Sequence, residues 1–326
     1  MIDTRTGVSV IICCYNSEAR IVPTLQHLAA QRTPIDLPWE IVLVDNASTD
    51  NTGSFAAGIW QSLGAPASLH VVQEAEPGQQ QARKKGVATA RYDCIIFCDD
   101  DNWLAKDYVA VAYEVMNSID NIGAAGGSNE PTSDADTWPD WFDSYRDKYA
   151  LGTPASATGD ISHRGFILGA GLITRRHLFQ EMYHPRYPSL LGGRQGATLS
   201  TGDDFEYCKR LLLRGHQLYY DERLSLQHFI PQERLTIPYR EQLMDGIGQA
   251  GIVLQEYDHA LRFYRRNYHK NRWRLMALTP LRIVLSRWKL INRLLEEEQQ
   301  TLFYTTPLSW NPHPIRTPIK RFLYRL

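Results

Sequence analysis

No run of about 18 uncharged apolar residues occurs anywhere in the 326-residue sequence, so it offers no helix suited to crossing a membrane. Cysteine is scarce. Cys13, Cys14, Cys94, Cys98 and Cys208 form neither a zinc-ligand set nor a disulfide framework. Four of them lie in apolar runs that read as strands. A signal-peptide pattern is missing from MIDTRTGVSVIICCYN, and a reducing, cytoplasmic setting is expected. Two common nucleotide-binding loops are missing as well. The first strand ends in CCYNSE instead of a GxGxxG turn, and no GxxxxGK[ST] sequence exists. Internal repeats are absent.

Charge is present but unevenly placed. Between Ala260 and Arg293 there are ten Lys or Arg residues and no Asp or Glu, leaving 25 basic and 36 acidic residues elsewhere, a net of −11. An acidic body with a basic C-terminal region follows. Leu281, Val284, Trp288, Ile291 and Leu295 recur at helical spacing with basic residues off that line. Such a helix suits either an anionic membrane surface or packing on the body of the protein, and the sequence favours neither.

The first hundred residues alternate short apolar runs with helix-like segments. Strands are expected at Val8–Cys14, Glu40–Val44, Leu69–Gln73 and Cys94–Cys98, with helices after Ser17, from Gly78 to Ala90 and near Lys106–Met116. This order predicts an α/β fold with a parallel sheet covered on both faces, whose ligands bind at the carboxyl ends of the strands. Farther on, Ile122–Ala125 and Phe166–Thr174 are apolar, Glu130–Tyr149 reads as loops with short helices, and Asp203–Arg214 as a helix. Leu218–Tyr220 and Leu224–Phe229 are short strand candidates. From about Pro231 the chain looks helical, basic and aromatic, giving an expected division into 1–230 and 231–326.

The acidic residues sit at the expected ligand edge. In FCDDDN, three carboxylates at a strand end repel one another, and a divalent cation, Mn2+ or Mg2+, relieves that repulsion. In an extended segment Asp99 and Asp101 share a side and can share a metal under a diphosphate. Asp45 and Asn46 end the second strand with groups suited to a ribose or base edge, although VDNASTD alone reads as a helix cap. Tyr15 suits base stacking or ordinary packing, and Arg83 suits a phosphate or carboxylate in the cleft. Asp203, Asp204 and Glu206 suit a helix start through its dipole, and equally a general base. His228 is a packed histidine or a metal ligand. Trp138, in the aromatic stretch, suits stacking on a sugar face.

Taken together and in order, VSVIICCYN at Val8–Asn16, VDNASTD at Val44–Asp50, ARKKG at Ala82–Gly86, the DxD-like Asp99–Asp101, GAG at Gly169–Gly171 and GDDFEYCKRLLLRG at Gly202–Gly215 resemble inverting glycosyltransferase family 2 enzymes. The resemblance implies a GT-A-type nucleotide-binding fold, with a mostly parallel central sheet flanked by helices, plus a C-terminal helical extension. It implies transfer of a sugar from a nucleotide-diphosphate sugar, a UDP-sugar being the expected donor, to a saccharide or lipid-linked acceptor. Tyr15, Asp45, Asn46, Arg83, Asp99 and Asp100 would bind the donor, and Asp101 with His228 the metal. Asp204 would be the catalytic base, with Gly169, Ala170, Gly171, Asp203 and Trp138 on the acceptor side. VDNAS and CCYN depart from the family's usual VDDGS and Pro-Thr patterns, both next to the nucleoside.

Cell-surface polysaccharide or glycoconjugate assembly is the expected setting, at the inner face of the cell membrane if residues 260–326 dock there. A non-catalytic nucleotide-sugar-binding protein is the alternative, distinguished by failure to transfer or hydrolyse any donor. The acidic body and the lack of a recognised module argue against nucleic acid.

Overall fold

The computed structural model describes residues 6–194, 199, 201–267 and 314–324. The chain divides into two compact units, Met1–Ala250 and Gly251–Leu326.

The first unit is built on a sheet of nine strands among the described residues, in the order Ser68–Glu74, Trp39–Asn46, Val8–Cys14, Cys94–Asp99, Ile173–Arg175, Ile122–Thr132, Gln217–Phe229 and Asn102–Leu104, with Gly159–Asp160 paired to Gln217–Phe229. Its parallel half comprises β1 (Val8–Cys14), β2 (Trp39–Asn46), β3 (Ser68–Glu74) and β4 (Cys94–Asp99). The run VSVIICC becomes the central strand because both faces are covered, and Val8, Val10, Ile11 and Ile12 are fully buried. β3 is instead an edge strand of alternating exposure. Helices α1 (Ile21–Ala29), α2 (Thr52–Ser62), α3 (Gln79–Thr89) and α4 (Tyr108–Ser118) connect and cover these strands. A methyl group at Gly86 would lie 2.4 Å from Ile11 Cγ2, so glycine lets α3 lie close on β1.

Beyond β4 the sheet becomes mixed. β5 (Asn102–Leu104), β7 (Gly159–Asp160) and β8 (Ile173–Arg175) are short antiparallel strands, whereas β6 (Ile122–Thr132) and β9 (Gln217–Phe229) pair in parallel over a long stretch. The two short strands expected near Leu218 and Leu224 are one continuous β9. A register shift between Gly126 and Ser128 absorbs the irregularity that breaks the sequence pattern. Two further helices, α5 (Arg176–Met182) and α6 (Asp203–Leu213), complete this part.

The long helix α7 (Ile237–Asn267) carries the boundary between units. Its start belongs to the first unit because Leu243 packs with Leu235, Ile230, Phe142, Tyr149 and Leu151. The two compact units meet after Ala250, within this helix. In the second unit, Arg316 of α8 (Arg316–Tyr324) forms a two-pronged ion pair with Glu256, at 2.8 and 2.9 Å. Among the described residues no helix is long and apolar enough to cross a membrane. The amphipathic stretch Leu281–Leu295 lies outside the described residues.

Candidate active site

Parallel pairing brings the carboxyl ends of β1, β2 and β4 together, with Cys13 beside Asp99 and Cys14 beside Asp45. Tyr15, directly after β1, is 46% exposed and free to meet a ligand ring. Asp45 accepts a hydrogen bond from Gln73 Nε2 at 2.8 Å on one oxygen, while its Oδ1 is buried without a partner. An unpaired buried acceptor is costly and marks a place for a donor group. Burial pushes the Cys13 thiol up to about 12, so a neutral thiol stands here where the family resemblance leads one to expect proline.

Two of the residues expected at the donor make contacts within the fold. Asn46 gives both amide hydrogens to the carbonyls of Glu74 and Glu76, at 3.1 and 2.7 Å, and accepts from Gly78 N at 2.8 Å. It fixes the turn that starts α3. Asp100 is turned inward, accepting from Ser17 Oγ and pairing with Arg20 Nη2 at 2.7 Å. The reason is local. Asp100 and Asp101 form a tight turn between β4 and β5, closed by Asn102 Oδ1 accepting from Asp99 N at 3.0 Å, so the strand alternation assumed from sequence ends at Asp99.

Asp101 faces a different neighbourhood. The pairing of β5 with β9 sets Asn102 opposite His228, and His228 Nε2 lies 3.5 Å from Asp101 Oδ1. Arg234, on the turn Gln232–Arg234 after β9, brings Nη1 to 2.9 Å from Asp101 Oδ2. Burial pushes Asp101 up, but His228, then Arg234 and Arg194, outweigh it and hold the carboxyl well below the usual range. Asp99 shifts upward, chiefly through burial. Among the described residues no three His, Cys, Asp or Glu side chains form a ready metal cage. A carboxylate and an imidazole side by side still fit a cation that completes its shell with phosphate oxygens and water, and His228 Nδ1 is buried without a partner.

On the opposite side, Gly202 in a left-handed conformation starts α6 and places Asp203 and Asp204 in its first turn. Asp203 is buried and pairs with Arg83 Nη1 at 2.6 Å, while the Arg83 guanidinium lies over the Phe97 ring at 5.2 Å. Of the two partners expected for Arg83, a phosphate or a carboxylate in the cleft, the structure shows a carboxylate, Asp203. Burial first, and Asp203 second, raise the Asp204 carboxyl to about 7. The segment Gly169–Gly171 runs beside β4, with Gly171 N donating to Phe97 O at 3.0 Å. Ala170 is buried there. A methyl group at Gly169 would lie 3.0 Å from Asp204 Oδ2 and 3.1 Å from Arg83 Nη2. Gly169→Ala should therefore displace Asp204 and lower kcat by roughly ten- to a hundredfold with little change in melting temperature; kcat and thermal unfolding measured together check this.

Trp138 is 39% exposed and stacks on Phe142 at 4.4 Å. It belongs to an aromatic cluster with Trp141 and Tyr149, and Tyr149 Oη donates to the Arg234 carbonyl at 3.0 Å. Sequence reasoning missed Arg234, Arg194 and Arg20. Arg20 and Arg234 lie close to a glutamate and Arg194 lies between glycine-rich turns, none with telling spacing, and only the fold brings them to the carboxylates.

A half-sheet of parallel strands with carboxylates at its ligand edge has the architecture of nucleotide-binding α/β proteins. Residues 9–170 match the model of glycosyl transferase family 2. Glycosyltransferase GlyG of Streptococcus pneumoniae is 28% identical over 113 residues, 35% of this chain and 36% of that protein. The undecaprenyl-phosphate 4-deoxy-4-formamido-L-arabinose transferase of Pectobacterium carotovorum is 28% identical over 128 residues, 36% of this chain and 38% of that protein. The chain spans about a third of the length of these curated relatives. The crystal structure of S. aureus TarS 1–349 in complex with UDP-GlcNAc has a similar fold, with a TM-score of 0.52 and 17% identity over 92% of this chain and 82% of that one. The chain belongs to glycosyl transferase family 2.

Proposed function

We propose that this protein is an inverting glycosyltransferase that moves a sugar from a nucleotide-diphosphate sugar, a UDP-sugar in our reading, to a hydroxyl of a saccharide or lipid-linked acceptor. The observation that carries this reading is Asp204, a carboxyl held near pH 7 beside Gly169 and Arg83, within the electrostatic reach of the Arg83 that also feels Asp99. A base poised near the working pH is what deprotonation of an alcohol requires.

The residues divide the work. Tyr15 offers a ring face, and Asp45 Oδ1 an acceptor, to the nucleoside. Asp101 and His228 would hold a divalent cation, which supplies charge neutralisation to the leaving diphosphate. Asp204 takes the proton of the acceptor hydroxyl as its oxygen forms a bond to the anomeric carbon. The bond from that carbon to the diphosphate breaks on the opposite face, so one displacement inverts the configuration. Arg83 holds Asp203 in place beside the base. The setting proposed is cell-surface polysaccharide or glycoconjugate assembly, a reading in line with the Pectobacterium relative, whose name gives a sugar transferase of undecaprenyl-phosphate. Docking of residues 260–326 at the inner face of the cell membrane rests on their basic sequence alone.

The test is a thermal-shift screen of nucleoside diphosphates and their sugars, with and without Mn2+. A bound ligand raises the melting temperature by mass action. The expected result is a Mn2+-dependent rise with UDP, lost in Asp101→Ala. Failure of every nucleotide to raise the melting temperature would sink the donor-site assignment.

A further inference from the structure

Arg234 pairs with Asp101 from outside the acidic turn, and its backbone is held at both polar groups. Its own N–H donates to Pro231 O at 2.8 Å, and its carbonyl accepts from Tyr149 Oη at 3.0 Å. The side chain is 18% exposed, and Nη1 reaches Asp101 Oδ2 at 2.9 Å. Asp101 thus divides its oxygens. Oδ1 faces His228 and accepts from Asn102 Nδ2 at 3.1 Å, while Oδ2 faces Arg234.

This division sets up a competition. A guanidinium and a divalent cation on one carboxylate repel each other, and their repulsion is strong where water is largely excluded. Two cations so placed are compatible only if an anion joins them. The donor's diphosphate is such an anion, and an arginine fork matches phosphate oxygens well. A planar fork anchored by its own backbone needs only a side-chain rotation to change partners.

We propose that Arg234 is a diphosphate-binding residue that pairs with Asp101 in this structure and exchanges that carboxylate for the donor's diphosphate when a divalent cation takes up Asp101 and His228. This rests on the donor-site reading given above. The exchange makes Arg234 oppose the cation on its own and favour the cation together with nucleotide, so the two ligands bind with positive coupling.

Isothermal titration calorimetry on the full chain tests it, using Mn2+ alone and UDP in saturating Mn2+. Arg234→Gln is expected to bind Mn2+ alone about three- to tenfold more tightly, because the competing charge is gone. The same variant should bind UDP in Mn2+ about ten- to a hundredfold more weakly, the range of one charge-assisted hydrogen bond. Arg234→Lys, which keeps the charge without the fork, should fall between wild type and Arg234→Gln on both axes and guards against a folding defect in the first variant. UDP affinity unchanged in Arg234→Gln, while the wild type binds UDP, would overturn this proposal and leave the donor site standing. Parallel weakening of Mn2+ and UDP would assign Arg234 a merely structural role. A wild-type protein that binds no UDP in Mn2+ would remove the donor-site reading itself.

Discussion

Asp204→Asn should lower kcat by about 10²–10⁴-fold, the usual contribution of a positioned general base, and leave donor affinity within about a factor of three. Asparagine keeps the shape of the side chain but cannot take a proton. With Asp204 at about 7, raised by burial and then by Asp203, the wild-type rate should climb with pH through about 7 and level off above it. The residual rate of the variant should lack that step. Stability carries a matching signature with the opposite slope. The folded carboxyl holds its proton up to about 7, whereas the unfolded one releases it near 3.8, so the folded protein is progressively penalised as pH rises between these values. Asp204→Asn removes the penalty, and its melting temperature should exceed that of the wild type at pH 8. The gain should fade as pH falls through 7 towards 4. A gain of about 1 kcal/mol corresponds to roughly 2–4 °C in a domain of this size. A variant with normal turnover, or a pH step that survives the substitution, would rule out Asp204 as the base.

The elements that position Asp204 were legible because their signals are local. β1, β2 and β4 are continuous apolar runs whose ends lie at a change to acidic or polar residues; the structure ends β1 at Cys14 as expected and carries β2 on to Asn46 and β4 to Asp99. Asp203 and Asp204 open a helix with an apolar face, and α6 starts there. What was not legible depends on contacts distant in sequence. Asp100 looked like its neighbours, but a turn invisible in the residue pattern sends it towards Ser17 and Arg20, 83 and 80 positions away. The type of Asn46 suits a ribose, whereas the turn from Glu74 to Gly78 takes both its amide hydrogens and one acceptor position of its oxygen. Arg83 illustrates the same limit: a basic residue near carboxylates could serve several of them, and only α6 docking settles it on Asp203. The long pairing of β6 with β9 escaped because Gly126, Gly127 and the charged stretch Asp221–Arg223 interrupt the apolar pattern on both strands.

Glu206 gives the largest expected effect on stability, and for a reason that its place near a helix start conceals. Its carboxylate is fully buried and does more than complement the dipole of α6. It accepts from Ser189 Oγ at 2.7 Å, from the backbone N–H of Leu190 at 3.0 Å and from that of Leu191 at 2.9 Å, and it pairs with Arg210 Nη2 at 2.7 Å. Arg210, also buried, donates onward to the carbonyls of Met182, Tyr187 and Pro188, and lies over the Tyr183 ring at 5.1 Å. One ion pair on α6 therefore pins the loop that follows α5 and runs to Arg194, whose carbonyl accepts from Gln79 at the start of α3. Glu206→Gln leaves a buried guanidinium without its counter-charge, a change that costs about 3–5 kcal/mol. The melting temperature should fall by on the order of 10 °C, and amide exchange at Leu190 and Leu191 should accelerate well beyond that of β1. Replacing both partners, Glu206→Leu with Arg210→Met, should cost less than the sum of the two single changes, since no lone charge is then left in the core. Full additivity in that double-mutant cycle would show that the two residues act separately and that the loop is held by other contacts.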